Sequence, residues 1–130
     1  MTGAQQALHL DTSFLIRALV PDSNESRALE GWILKGRTVC MSTLAWGEFL
    51  CGPLGEEEQA LAARIVRRHE PMGVSKATDA ARLFNASGRR RGSFADCVVA
   101  ATAMLRGARL ATADRTDFAR FAPYGLEFAE

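Results

Sequence analysis

The chain has 130 residues, 48% of them hydrophobic, 24% charged and 8% aromatic. That suits a single globular domain over residues 1–130, able to build a core without metal or disulfide staples, and it is too apolar for a disordered chain. Lys plus Arg number 16 and Asp plus Glu 15, a formal net charge of +1. This excludes a polybasic protein that holds nucleic acid by bulk charge, but not one that segregates its charges on one surface.

Cys40, Cys51 and Cys97 are far apart and odd in number, which reads as free thiols in a reducing compartment. His9 and His69 stand alone in the sequence, which argues against a Cys/His zinc site. Arg17 is the first positive side chain other than a histidine, so a basic-then-apolar leader is not expected. No apolar run approaches the roughly 20 residues of a membrane span. A soluble cytoplasmic protein is the expectation.

In chain order, Ala7 to Leu10 reads as a short strand ending at Asp11, and Thr12 to Val20 as a helix stopped by Pro21. A second helix is expected from Asn24 to Lys35, with Asp22 and Glu25 spaced as a capping box and Gly36 as its stop. Thr38 to Met41 is strand-like, and Thr43 to Cys51 a short helix ended by Gly52-Pro53. Glu56 to Glu70 reads as one helix whose leading glutamates suit its N-terminus. Met72 to Val74 is a weak strand, and Ser75 a cap for a helix from Lys76 to Ala86. After a polar loop, Phe94 to Arg106 is an apolar helix, buried on most sides and ended by Gly107. Ala108 to Thr112, Asp114 to Phe121 and Leu126 to Phe128 read as strand, helix and edge strand. The alternation predicts an α/β fold with three α/β/α layers and a mainly parallel sheet of about five strands.

In such sheets chemistry collects beyond the C-terminal strand ends. Asp11 directly follows the first strand, and Asp114 lies two residues past Thr112. Asp96 opens the apolar helix, Glu48 sits in the short helix after the second strand between Trp46 and Phe49, an apolar neighbourhood, and Asp117 follows Asp114 by three. Each acid has a structural explanation. Asp11 can cap its helix, Ser93 and Asp96 can form a capping box, Asp114 and Asp117 can cap theirs, and Glu48 can be solvated. Gathered together, however, carboxylates repel and burial adds to the cost, so the group asks for a cation. A hard divalent ion, Mg²⁺ or Mn²⁺, suits oxygen donors and can activate water against a phosphodiester.

The segments His9 to Ile16, Ser42 to Phe49, Phe94 to Ala103 and Leu110 to Phe118 resemble the motifs of PIN-domain ribonucleases. The likeness is greatest to VapC-type toxins of bacterial toxin–antitoxin pairs, and it spans nearly the whole chain in order. It implies a metal-dependent endoribonuclease whose catalytic acids are Asp11, Glu48, Asp96 and Asp114. Asp11, Asp96, Asp114 and Asp117 would be the Mg²⁺ or Mn²⁺ ligands, and Ser13 and Thr112 the supporting polar groups. It also implies in-line attack by water leaving a 5′-phosphate and a 3′-hydroxyl, a homodimer, and a VapB-type antitoxin whose basic side chain enters the acid pocket.

Arg89, Arg90 and Arg91 shortly precede Asp96 and could meet RNA phosphates; a solvated loop explains them equally well. Trp32, Trp46 and Phe84 read as core or dimer-interface residues rather than base-stacking ones. A non-catalytic PIN-like binding domain is the alternative. A haloacid dehalogenase-type phosphatase would need a second aspartate where Ser13 stands. A phospho-receiver would need a late-strand lysine, and the only lysines are Lys35 and Lys76. No glycine-rich phosphate loop occurs.

Overall fold

The computed structural model describes residues 7–90 and 93–130. Elements follow in the order β1 (Leu8–Leu10), α1 (Thr12–Ala18), α2 (Asn24–Leu34), β2 (Val39–Ser42), α3 (Thr43–Leu50), α4 (Glu56–Ile65), β3 (Arg68–Glu70), α5 (Val74–Ala86), α6 (Phe94–Leu105), β4 (Arg109–Ala111) and α7 (Arg115–Phe118). A 3₁₀ segment, Ala119–Tyr124, closes the series.

The strands form one sheet in the order β3-β2-β1-β4, and every pairing is parallel. The expected fifth strand is reduced to one parallel bridge, Leu110 to Phe128, on the outer side of β4. Its backbone is tied there by Leu110 N donating to Glu127 O (2.9 Å) and Ala129 N to Leu110 O (2.9 Å). All residues of β1 and β2 are buried, as parallel strands covered by helices on both faces must be. Leu8, Leu10, Val39, Met41, Phe49, Val98 and Leu110 form the centre of the core. The order reverses direction at β1, because β2 lies on one side of it and β4 on the other. A crevice therefore opens beyond the C-terminal ends of β1 and β4.

Several local expectations change. The predicted helix from Glu56 to Glu70 ends at Ile65; Val66 turns extended and Arg68–Glu70 pairs with β2. The free edge of β2 overrides a weak helical preference there, an outcome the sequence pattern does not encode. Met72 to Val74 is not a strand: Gly73 is the N-cap of α5, so Ser75 lies inside that helix. Asp22 does not cap α2, because its φ of 65° turns it away from the cap position. Ser23 does so instead, its Oγ accepting from Ser26 N at 3.0 Å. Gly36 (φ 84°) and Gly107 (φ 63°) terminate α2 and α6 in the left-handed conformation a side chain disfavours. All three cysteines are free: Cys40 and Cys97 buried, Cys51 exposed. No described helix is long and apolar enough to cross a membrane.

Candidate active site

Asp11 is the best-held acid. It is 6% exposed and sits where β1 gives way to α1. Oδ1 accepts from Phe14 N (2.9 Å) and Ser13 Oγ (2.8 Å), and Oδ2 accepts from Thr112 Oγ1 (2.6 Å). The structural reading of Asp11 as a helix cap is thus true, and only part of its environment. Burial raises its pKa above the ordinary carboxylate value against the pull of these three donors, and the charge of Asp114 adds to the rise.

Ser13 and Thr112 act as a brace between the two strand ends. Besides holding Asp11, Ser13 Oγ accepts from Ala113 N (3.1 Å), and Thr112 Oγ1 accepts from Asp114 N (2.9 Å). The chain segment carrying Asp114 is therefore fixed to the same hydroxyls that fix Asp11. Asp114 occupies the N-cap place of α7 but makes no cap bond with its side chain.

Asp96 is free of capping duty as well. Ser93 Oγ turns back to donate to Arg90 O (2.7 Å), so the expected capping box does not form. Burial raises the Asp96 pKa, and Asp117, Asp11 and Glu48 push the same way, while the guanidinium of Arg120 opposes them. Arg120 Nη2 lies 3.8 Å from Asp96 Oδ2, and its guanidinium packs 4.3 Å above the Phe121 ring. Arg120 also donates to the backbone carbonyl of Asp117. Glu48 is exposed on α3, and its Oε1 accepts from Thr12 Oγ1 at 3.4 Å.

Asp11, Glu48, Asp96, Asp114 and Asp117 line one open cleft of about 380 Å³, together with Thr12, Ser13, Ile16, Val99 and Phe118. The acids come from four separate stretches of sequence, and Ile16, Val99 and Phe118 are the apolar part of the lining. Among the described residues, no three of these carboxylates bring oxygens within 4.8 Å of one another. That spacing fits a hard ion that touches few protein oxygens and keeps its remaining positions for water.

The basic loop is placed differently. Arg89 and Arg90 are exposed and do not line the cleft, and Arg91 lies outside the described residues. Arg89 has a left-handed φ of 55°, and its N–H donates to Phe84 O (2.9 Å). Trp32 packs on Phe14 with ring centroids 5.7 Å apart and donates from Nε1 to Glu130 O, so it is a core residue. Trp46 packs against Phe49 and His69, and Phe84 against Phe94. Sequence reading missed Thr12 and Arg120. Both carried a signal: Thr12 adjoins Asp11, and Arg120 follows Asp117 by one helical step.

The PIN domain profile matches residues 8–123, nearly the whole described chain. The chain belongs to the PIN domain family. It is a family of nucleases, and the acid cleft lies at the strand ends where the fold collects its chemistry. No curated protein matches the chain by sequence.

Solved structures share the fold at low identity. VapBC2 from Rickettsia felis, bound to a promoter DNA fragment, superposes with a TM-score of 0.73 at 16% identity, over 95% of this chain and 97% of that one. VapC20 of Mycobacterium tuberculosis, a toxin that cleaves the sarcin–ricin loop, gives 0.68 at 20% identity over 95% and 98%. DNA-bound VapBC from Salmonella typhimurium gives 0.73 at 19% identity over 96% and 98%.

Proposed function

We propose that this PIN domain is a divalent-metal-dependent endoribonuclease acting as the toxin of a VapBC-type pair. The observation that carries the reading is the convergence of five carboxylates on one cleft at the β1–β4 crevice. Similarity in fold to VapC toxins and VapBC complexes supports the toxin role and a VapB-type antitoxin as partner. A homodimer and a cytoplasmic setting accord with it.

In this reading Asp11, Asp96, Asp114 and Asp117 hold Mg²⁺ or Mn²⁺, no more than two of them directly and the others through the ion's waters, and Asp11, Glu48, Asp96 and Asp114 are the catalytic acids. The donor set fits: all are oxygens, two of the acids have raised pKa values, and the cleft is open to water. Such an ion supplies Lewis acidity to the phosphodiester and to the attacking water. The chain's own groups orient the reaction. Ser13, Thr112 and the Phe14 amide fix the Asp11 oxygens, so the carboxylate need not reorganise during attack. Glu48, exposed and lining the cleft, accepts the proton that water loses. Hydrolysis in line at phosphorus leaves a 5′-phosphate and a 3′-hydroxyl, the leaving oxygen taking up a proton. Arg89 and Arg90, exposed and outside the cleft lining, contact the RNA backbone beyond the cleft rather than at the scissile phosphate, and Arg91 is a further candidate for RNA contact. The antitoxin inhibits by putting a basic side chain among the acids, in competition with the ion.

The test is cleavage of RNA by purified protein with Mg²⁺ or Mn²⁺, compared with Asp11→Asn and Asp96→Asn, with the new ends sequenced. Metal-dependent 5′-phosphate ends, lost in both variants, are expected. Cleavage by the variants at the wild-type rate, or folded wild-type protein that binds RNA without cutting it, overturns the nuclease reading.

A further inference from the structure

Among the described residues, one group of potential metal ligands has its donor atoms all within 4.8 Å of one another, and it is not in the acid cleft. It consists of His9, Cys40 and Glu70, which are 1%, 1% and 3% exposed. Parallel register builds it. His9 of β1 is opposite Cys40 of β2, and Ser42 of β2 is opposite Glu70 of β3. Residues two apart on a strand share a face, so all three side chains rise from the same side of the sheet.

One donor atom on each of two of these residues, His9 Nε2 and Cys40 Sγ, has almost no other partner. His9 Nε2 makes no hydrogen bond although it is fully enclosed. Buried polar nitrogens are seldom left so, and one that is asks for an explanation. Cys40 Sγ makes only a 3.9 Å contact with Thr38 O. Glu70 is held from one side: Arg106 Nη2 is 2.8 Å and Lys76 Nζ 3.5 Å from the same oxygen, Oε1. Those contacts fix the carboxylate and leave Oε2 for a ligand, as groups around metal-bound carboxylates do.

We propose that His9, Cys40 and Glu70 form a second metal site, for Zn²⁺ or a similar borderline divalent ion, separate from the oxygen-lined cleft. Nitrogen, sulfur and oxygen donors together select such an ion over Mg²⁺. Bond lengths near 2.0–2.3 Å require tetrahedral donors about 3.3–3.7 Å apart, so side-chain adjustments of about an ångström close the site around the ion. Binding releases the Cys40 proton to solvent, and the thiolate and carboxylate then balance the double charge. The bound ion clips β1, β2 and β3 together two residues before Asp11. It therefore stiffens the strand that delivers the best-held acid of the cleft, without itself meeting substrate.

The test uses the full chain, stripped with chelator and titrated with Co²⁺ and Zn²⁺. Co²⁺ is expected to produce thiolate-to-metal charge-transfer absorption. Cys40→Ser should abolish that band, Cys51→Ser and Asp96→Asn should leave it, and His9→Gln should weaken Co²⁺ binding about tenfold or more. Zn²⁺ should raise the melting temperature of wild type well beyond that of Cys40→Ser, in which only the acid cleft remains to bind it, and Asp96→Asn should keep the Cys40-dependent part of the rise. Circular dichroism identifies any variant that fails to fold. Should Cys40→Ser not fold, the His9→Gln titration decides: unchanged affinity overturns the site. Absence of the band in folded wild type, or its persistence in Cys40→Ser, overturns it equally. Neither outcome bears on RNA cleavage at the acid cleft, so the two proposals fail separately.

Discussion

Thr112 Oγ1 donates a 2.6 Å hydrogen bond to Asp11 Oδ2, joining residues 101 positions apart in the chain. One hydroxyl thereby fixes the end of β4 to the end of β1, and it also accepts from Asp114 N. Thr112→Val keeps the shape and removes both bonds. Asp11, 6% exposed, then has an oxygen short of a partner. A loss of about 1–3 kcal/mol in stability is expected, with RNA cleavage reduced, while Thr112→Ser restores most of both. Urea denaturation and single-turnover cleavage would measure the two effects; a Thr112→Val protein as stable and active as wild type contradicts the brace.

The Asp96 carboxyl has a raised pKa because burial and three neighbouring acids oppose its charge, despite Arg120. A folded-state pKa above the unfolded value means that ionisation costs the native state. That cost appears as pH rises through the unfolded value near 3.8 and stays above the folded one. At neutral pH without divalent ions, Asp96→Asn should therefore melt higher than wild type. Added Mg²⁺ should raise wild type more than the variant, since only wild type retains the full acid set. Thermal melts at neutral pH, with EDTA and with Mg²⁺, read both signs.

Arg120 is an internal cation in the place where an external one is needed. Its Nη2 is 3.8 Å from Asp96 Oδ2 and opposes the effects that raise the Asp96 pKa. Arg120→Gln should tighten Mg²⁺ binding by about threefold to tenfold, because a repelling charge is gone. It should also lower metal-free stability, because the acids lose their counter-charge. Isothermal titration with Mg²⁺ checks the first, and denaturation in EDTA the second. Weaker Mg²⁺ binding by a folded variant would show that Arg120 positions the acids rather than competing for them.

His9 has its pKa lowered to about 4 by burial, with the charge of Glu70 partly resisting. The unfolded chain takes up that proton near pH 6.5, and the folded chain only near pH 4. Acid therefore favours unfolding across that window, and metal-free stability should fall by about 3 kcal/mol from this residue alone as pH drops from 6.5 to 4. Denaturation in EDTA at a series of pH values should show the slope, and His9→Gln should flatten it. An equal slope in the variant would assign the acid sensitivity elsewhere.

The parts legible in the sequence were those that local chemistry decides. Short apolar runs ending in Asp11 and Thr112 announced strand ends, and Gly36 and Gly107 announced helix stops. The acid cleft followed because strand ends of a parallel sheet share one edge. What the sequence hid was set by pairing. Nothing local ends a helix at Ile65, since the cause is the open flank of β2. Ser93 matched a cap by spacing, yet a nearby carbonyl at Arg90 drew its hydroxyl away. His9 and Cys40 are 31 positions apart and looked unrelated, because only register makes them neighbours.

The brevity of β1 constrains how this chain can change over time. Its three residues send Leu8 and Leu10 to one side of the sheet and His9 to the other, then hand over directly to Asp11. Inserting or deleting one residue there exchanges the two sides at once and shifts the acid off its donors. Length variation between related proteins should accordingly gather in the connections around residues 51–55 and 87–92, with the stretch from 8 to 11 keeping a fixed count even where its letters drift.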